Sequence, residues 1–545
     1  MVPTESFSKD HLRAPTEHGQ VLIHPNLSTA ENALTQYQAQ NPGGNQPLWL
    51  GKPWSEIVAT ARHELYTKAL SYSSAYLDTS SHNHTEPSQI VLLGHQPELF
   101  HAGVWFKNFL AATLSQRLSA VTINLLIDNA TLNTPAIKVP SGSTTTPEIE
   151  TIAFDQTVAP IPFEARSVID RDLFTSFADR IKTATANWLD EPLVETLWPQ
   201  IIEAEQETGN IGRALARGRH LLEEQWGIHN LDLPLSTICN SNSFCWFLAG
   251  ILLQLPRFWE VHNSSLEEFR QLYRIRSKSH PVPALEKEDD WIEAPFWIWS
   301  TTDPQRLPMF VRFQADQLEL TNRQQVTCRL AISAEEDGSA LVEQLAAQQE
   351  QGICIRPRAL TTTMYARLML SDVFVHGIGG GRYDQLTDVI VKRFFDFDPP
   401  DLLVATATLQ LPIELPDCQE EALRDLDRQL REIKFSPERY LPESTDWSAE
   451  EKSQVAQFIS EKETLLAIVQ AGETPTATWH QQLAQINQQL QAFTANSREQ
   501  LKKQRQKLES AAKYRSLLGS REFSFCLFPQ KTLSPLLLAL SREGL

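Results

Sequence analysis

Short apolar runs closed by small or polar residues recur along the chain and alternate with stretches of helical spacing. Gln89 to Leu93 (QIVLL) is a β-branched run ended by Gly94, and Phe106 to Leu118 (FKNFLAATLSQRL) follows with apolar residues at 106, 109, 110, 114 and 118. Val121 to Ile127 (VTINLLI) is a second run, ended by Asp128. The first pattern predicts a buried strand, the second a helix and the third another buried strand. That order is the mark of a parallel α/β sheet, whose ligands sit at the carboxyl ends of the strands. Upstream, the spacing predicts one helix near Trp54 to Ser71, and Ser73 to Pro87 reads as a loop.

A third strand, loop and helix signal lies downstream. Asp372 to His376 is strand-like, Gly377-Ile378-Gly379-Gly380-Gly381 is a glycine loop, and Arg382-Tyr383-Asp384 opens the helix QLTDVIVKRFF. Bare backbone N–H groups at a helix start attract an anion, so Gly379, Gly380 and Gly381 with Arg382 form the anion or nucleotide candidate. The segment matches neither GxGxxG nor the P-loop, and a tight turn for close helix–strand packing is the plain alternative. Between these signals, residues 165 to 228 read as helices. The run Leu233 to Leu253 starts strand-like and becomes a buried helix after Asn242. The dense stretch from His262 through Arg274, Arg276, His280, Trp291, Trp297 and Trp299 reads as long loops forming a binding wall.

After Pro412 the pattern changes to helical repeats. Leu423, Leu426, Leu430 and Ile433 are spaced 3-4-3, as are Leu483, Ile486, Leu490 and Phe493, and Ser497, Leu501, Gln504 and Leu508 continue after a stutter. Two or three long antiparallel helices are expected between about 418 and 518. Phe523, Phe525, Leu527 and Phe528 then predict a strand returning to the core. The division expected is an α/β core over 1–415 with a helical and Trp-rich connecting segment at about 160–310, an antiparallel coiled-coil insertion at 416–520 and a return at 521–545.

Composition narrows the partners. The 545 residues carry 67 acidic and 48 basic side chains, a net charge of −19, which disfavours nucleic acid because counterion release needs clustered Lys and Arg. Six scattered cysteines lack metal-ligand spacing and suggest a reducing compartment. No signal-peptide core or membrane-length apolar run is seen, so a cytoplasmic protein that binds no membrane is expected.

The chemical candidates cluster at the strand ends. His95, Gln96 and His101 follow the first strand, where imidazoles and an amide can act as acid, base or donor or merely cap the next helix. Asp128 and Asn129 end the second strand, as site residues or as ordinary turn residues. Arg276, His280 and Trp297 can clamp a carboxylate, with surface ion pairs as the plain alternative. The cysteines read as inert core thiols, and no GxSxG nucleophile motif occurs.

Four stretches together resemble the cysteine ligases of bacillithiol biosynthesis, the BshC family: VLLGHQPELFHAGVWFKNFLAA, INLLIDN, RPRALTTTMYARLMLSDVFVHGIGGGRYDQL and REFSFCLFPQ. The resemblance spans about half the chain and implies a Rossmann-like core, a connecting region and a protruding coiled coil that makes a homodimer. It also implies ATP-assisted attachment of cysteine to a glucosaminyl-malate acceptor. On that basis His95, Asp128 and His376 are the catalytic expectations. Gln96, His101, Asn129, Arg276, His280, Trp297, Arg358, Tyr383 and Asp384 are expected to bind substrate, and no metal ligand is assigned. Two departures stand out: His95 replaces the first glutamine of the family's loop, and its acidic cluster is reduced to Ile127-Asp128-Asn129-Ala130. These leave open a non-catalytic binding and assembly protein, or a ligase for a different amine and acid.

Overall fold

The computed structural model describes residues 12–27, 48–80, 82, 87–332, 338–400, 402–417, 420–443 and 447–543; Cys418, residue 81 and residues 83–86 of the expected loop lie outside them. The chain forms two compact units. One comprises Met1–Gly142, Ile149–Leu411 and Arg521–Leu545, and the other comprises Ser143–Glu148 and Pro412–Ser520.

The first unit is mixed α/β. Its central sheet is built from β1 (Val21–His24), β2 (Ile90–His95), β3 (Val121–Leu126) and β4 (Leu231–Pro234), with two strands from much later in the chain. Between β1 and β3 lie the helices α1 (Trp54–Ser74) and α2 (Ala102–Leu118). A second sheet follows: β5 (Trp291–Ser300), β6 (Asp303–Gln314), β7 (Gln317–Thr321), β8 (Thr327–Ala331) and β9 (Ile353–Pro357). Then come α3 (Ala359–Tyr365), β10 (Val373–His376), α4 (Ile378–Phe395) and β11 (Leu402–Ala407).

The central sheet runs β1-β11-β10-β2-β3-β4, parallel throughout except for the antiparallel edge strand β1. The strands are apolar runs because both faces are covered; Val91, Leu92 and Leu93 of β2 are all buried. The chain winds outward from β2 through β3 and β4, then returns to the other side of β2 to lay down β10 and β11. The winding reverses between β2 and β10, so their carboxyl ends splay apart and leave a crevice.

Four sequence expectations change. The Trp-rich stretch is not loop: His262 lies in the helix Leu255–Tyr273, and Trp291 to Trp299 lie in β5, an interior strand of an antiparallel sheet ordered β8-β7-β6-β5-β9. Its side chains are buried on both faces, which erases the two-residue alternation that identifies a strand. The three glycines are not a loop either; they form the first turn of α4, capped by Gly377. A side chain at Gly380 would collide with the His376 ring, and one at Gly381 with Val404, so close packing accounts for both.

Residues 523–528 make no strand. Phe525–Leu527 is a single 3-10 turn leading into the helix Gln530–Glu543, and all four expected alternating residues are buried. The ring of Phe525 packs on Trp105 at 4.4 Å and on Phe100 at 5.5 Å.

Among its described residues the second unit contains four α-helices rather than two or three: Glu420–Phe435, Ala449–Gln470, Ala477–Ala492 and Ala495–Leu518. The first packs on the fourth, and the second on the third. Its small core is Val455, Ile486 and Leu490, and Gln504, an expected seam position, is exposed. Among the described residues no helix is long and apolar enough to cross a membrane.

Candidate functional site

The crevice at the reversal opens into a cavity of about 420 Å³. Gln96 follows β2, Asn129 follows β3, and His376 ends β10, while Gly380, Tyr383 and Asp384 come from the first turns of α4. Trp297 of β5, Arg306 of β6 and Thr362 and Thr363 of α3 complete the wall. A larger cavity, about 570 Å³, sits at the amino ends of the strands beside Ser88, Val121 and His229. It is remote from the rim where parallel sheets place their ligands.

His376 and Asp384 form the titratable centre. His376 Nδ1 accepts the Gly377 N–H at 2.9 Å, which leaves the proton of the neutral ring on Nε2, 3.9 Å from Asp384 Oδ2. Burial, with Lys107 and Arg367 nearby, lowers the His376 pKa to about 3. Burial raises the Asp384 carboxyl to about 7, with Arg367 opposing and Asp388 reinforcing the shift. Oδ2 of Asp384 makes no hydrogen bond among the described residues. A carboxyl poised near neutrality in a cleft beside a neutral imidazole suits proton transfer.

Lys107 of α2 lies behind this rim. Its ammonium donates to the Gly94 carbonyl at 3.2 Å, and burial brings its pKa down to about 7. On the opposite wall Trp297 carries two guanidiniums, Arg358 at 4.2 Å and Arg306 at 4.8 Å from the ring centre. Arg358 pairs with Glu293 at 2.5 Å, whereas Arg306 donates to the Asn129 carbonyl at 2.8 Å. Asn129 in turn donates its amide N–H to the Pro357 carbonyl at 2.8 Å, tying the central sheet to β9.

Thus Gln96, Asn129, Trp297, His376, Gly380, Tyr383 and Asp384 meet in one cavity, while other expected residues do not. His95 is buried beneath it, its ring stacked 4.8 Å from Phe100 and its Nε2–H donating to Asn108 Oδ1 at 2.5 Å. Burial, Lys107 and Arg219 hold it well below the usual histidine range, so it is a packed donor rather than a base at the cavity. Asp128 also turns inward. It accepts the Ser236 N–H at 2.9 Å and hydroxyl at 2.5 Å, and burial followed by Glu164 raises its pKa to about 7.

His101 faces Glu522 at 3.8 Å, away from the cavity lining, and burial lowers its pKa to about 4. Arg276 and Arg382 are exposed; the latter lies over Tyr273 at 5.7 Å. His280 is exposed and reaches the site through Tyr383, whose hydroxyl lies 2.8 Å from its Nε2. Gly379 stays open on its outer side, with nothing within 4 Å of a side-chain position. The five described cysteines are free and buried, and burial raises the thiol pKa of each.

Arg306, Lys107, Thr362 and Thr363 were not among the expected site residues. Lys107 carried a signal: it is a lone cation on the apolar face of FKNFLAATL, at the helical spacing of buried Gly103 and Leu114. Arg306 carried none, because its strand was not recognised. Among the described residues no group of three or more His, Cys, Asp or Glu side chains is placed to hold a metal ion. No protein-family model matches the chain, and no curated protein matches it either.

Proposed function

We propose that the chain is an amide-forming ligase of the BshC kind, with a Rossmann-like core, joining cysteine or a similar amino acid to an amino-sugar acceptor such as glucosaminyl-malate. The observation that carries this reading is the meeting of three sheet-rim loops in one cavity around His376 and Asp384. In the step envisaged, the acceptor amine attacks the carboxyl carbon of the amino acid. A C–N bond forms, the C–O bond to a phosphoryl group that ATP has placed on that carboxylate breaks, the oxygen leaves with the phosphate, and Asp384 takes the proton that nitrogen loses. His376 Nε2–H holds the carboxylate in place, and Gln96 and Asn129 orient the acceptor.

ATP, which the resemblance implies, would supply the free energy of amide formation. The open face of Gly379 at the start of α4 and the ammonium of Lys107 fit its phosphates. Purified protein incubated with ATP, cysteine and glucosaminyl-malate is expected to release the thiol conjugate, read by mass spectrometry. No conjugate and no nucleotide turnover would overturn this substrate assignment, and the same assay run across other amines and acids tests the broader ligase class.

One observation favours a second reading, a non-catalytic metabolite-binding protein: His95 and Asp128 are withdrawn from the cavity into packed hydrogen bonds. Saturable acceptor binding without turnover identifies it. In either case we assign the helical unit to coiled-coil homodimerisation in the cytoplasm, and a monomeric mass by light scattering removes the dimer.

A further inference from the structure

Several interior arginines of the first unit are ion-paired, and Arg306, the arginine among the described residues that line the cavity, is not. Arg166 pairs with Asp155 at 2.7 Å, Arg356 with Glu164 at 2.9 Å, Arg358 with Glu293 at 2.5 Å, and Arg219 with both Glu223 and Asp232. Arg306 is half-buried in the cavity wall beside a second guanidinium, yet among the described residues no carboxylate lies within ion-pair distance of it. Its one protein hydrogen bond, to the Asn129 carbonyl, uses one of five N–H donors. Removing a cation from water with no counter-charge is costly, and burial and Arg358 both push its pKa down.

We infer that Arg306 is the specificity-determining residue of the cavity, and that the ligand it takes is a small acid whose carboxylate lies against its guanidinium fork beside Trp297. This rests on reading the cavity as the ligand site, and it does not depend on amide formation. Charge sets the class. Arg358 is already neutralised by Glu293, so one guanidinium is left for one carboxylate, whereas a phosphate dianion would call for a second free cation on this wall. The neighbouring walls, Ile127, Val282, Leu360 and Phe374, are apolar and suit a short uncharged carbon body.

The test uses the full chain and small probes: butanoate, 4-hydroxybutanoate, succinate, the neutral butanamide and inorganic phosphate. Binding is followed by calorimetry and by the unfolding temperature. At least one acid is expected to bind and raise that temperature, with butanamide inert. Arg306→Met is expected to weaken the acid roughly tenfold or more, and Arg306→Lys to weaken it by less, because the charge stays and the fork is lost. Ala359→Phe, on the exposed rim, is expected to fill the cavity and block binding with Arg306 in place. Equal binding of acid and amide, undiminished binding to Arg306→Met, or no acid bound at tens of millimolar would overturn the inference. Phosphate binding tighter than every acid would overturn the carboxylate class. None of these readouts involves nucleotide turnover, so a failed ligase assay leaves them standing, and lost acid binding with intact amide formation removes this inference alone.

Discussion

Two polar clusters each take residues from α2, and they handle charge in opposite ways. In the interior, Arg219 donates to Glu223 and Asp232; Asn124 donates to Asp232 at 3.0 Å, and Trp105 and Asn108 donate to Glu223. Each charge has a partner held by packed elements. At the rim, Lys107 and Asp384 are as secluded and His376 is half-buried, but burial moves each toward its neutral form. The desolvation cost is similar in kind. In the first cluster counter-charges meet it, and in the second it falls on the protonation states. A buried ion network is scaffold, and buried ionisable groups without fixed partners beside a cavity are where chemistry can be done.

Deleting the interior cation gives the largest effect. Arg219→Met leaves two buried carboxylates without a counter-charge and is expected to cost about 3–5 kcal/mol by urea denaturation; a variant as stable as the parent would dissolve the contrast. Deleting the rim cation has the opposite sign. Lys107 has a folded pKa of about 7 against about 10.4 unfolded, so between those values the native state binds fewer protons and stability rises with pH. Lys107→Met removes that slope. It should be the more stable protein at pH 6.5 by on the order of 3 kcal/mol, after losing the bond to Gly94. A less stable Met variant at that pH would show that the ammonium is paid for in the fold.

Asp384→Asn gives the smallest shift. The carboxyl is raised from about 3.9 to about 7, so between those values the native state binds more protons and stability falls as pH rises. The Asn variant should lose this slope and gain on the order of 2 kcal/mol at pH 8, with turnover abolished. Unfolding curves at pH 5 and pH 8 measure it, and an unchanged slope would mean that Asp384 is ionised throughout.

The strand runs at Ile90, Val121 and Val373 were legible because a strand buried on both faces reads as an unbroken apolar run. β5 was illegible for the same reason: flanked by Pro and Trp, its run offered neither alternation nor turn boundaries that separate strand from wall. Among site residues, Gln96, Asn129 and His376 could be placed because each ends or follows a recognisable strand. His95, one residue before Gln96, points the other way. Alternation along a strand decides that, and a one-residue error in where the strand ends reverses it.

Local periodicity is enough to specify the β2-α2-β3 order, the helical repeats after Pro412 and the rim on which the loops gather, because those patterns depend on residues a few positions apart. Tertiary structure alone decided that β10 pairs with β2, about 280 positions earlier, opening the crevice between them. It also decided which charges are neutralised. Arg219 and Arg306 are the same side chain, and only the carboxylates that folding brings to one and not the other separate a scaffold cation from one left for a ligand.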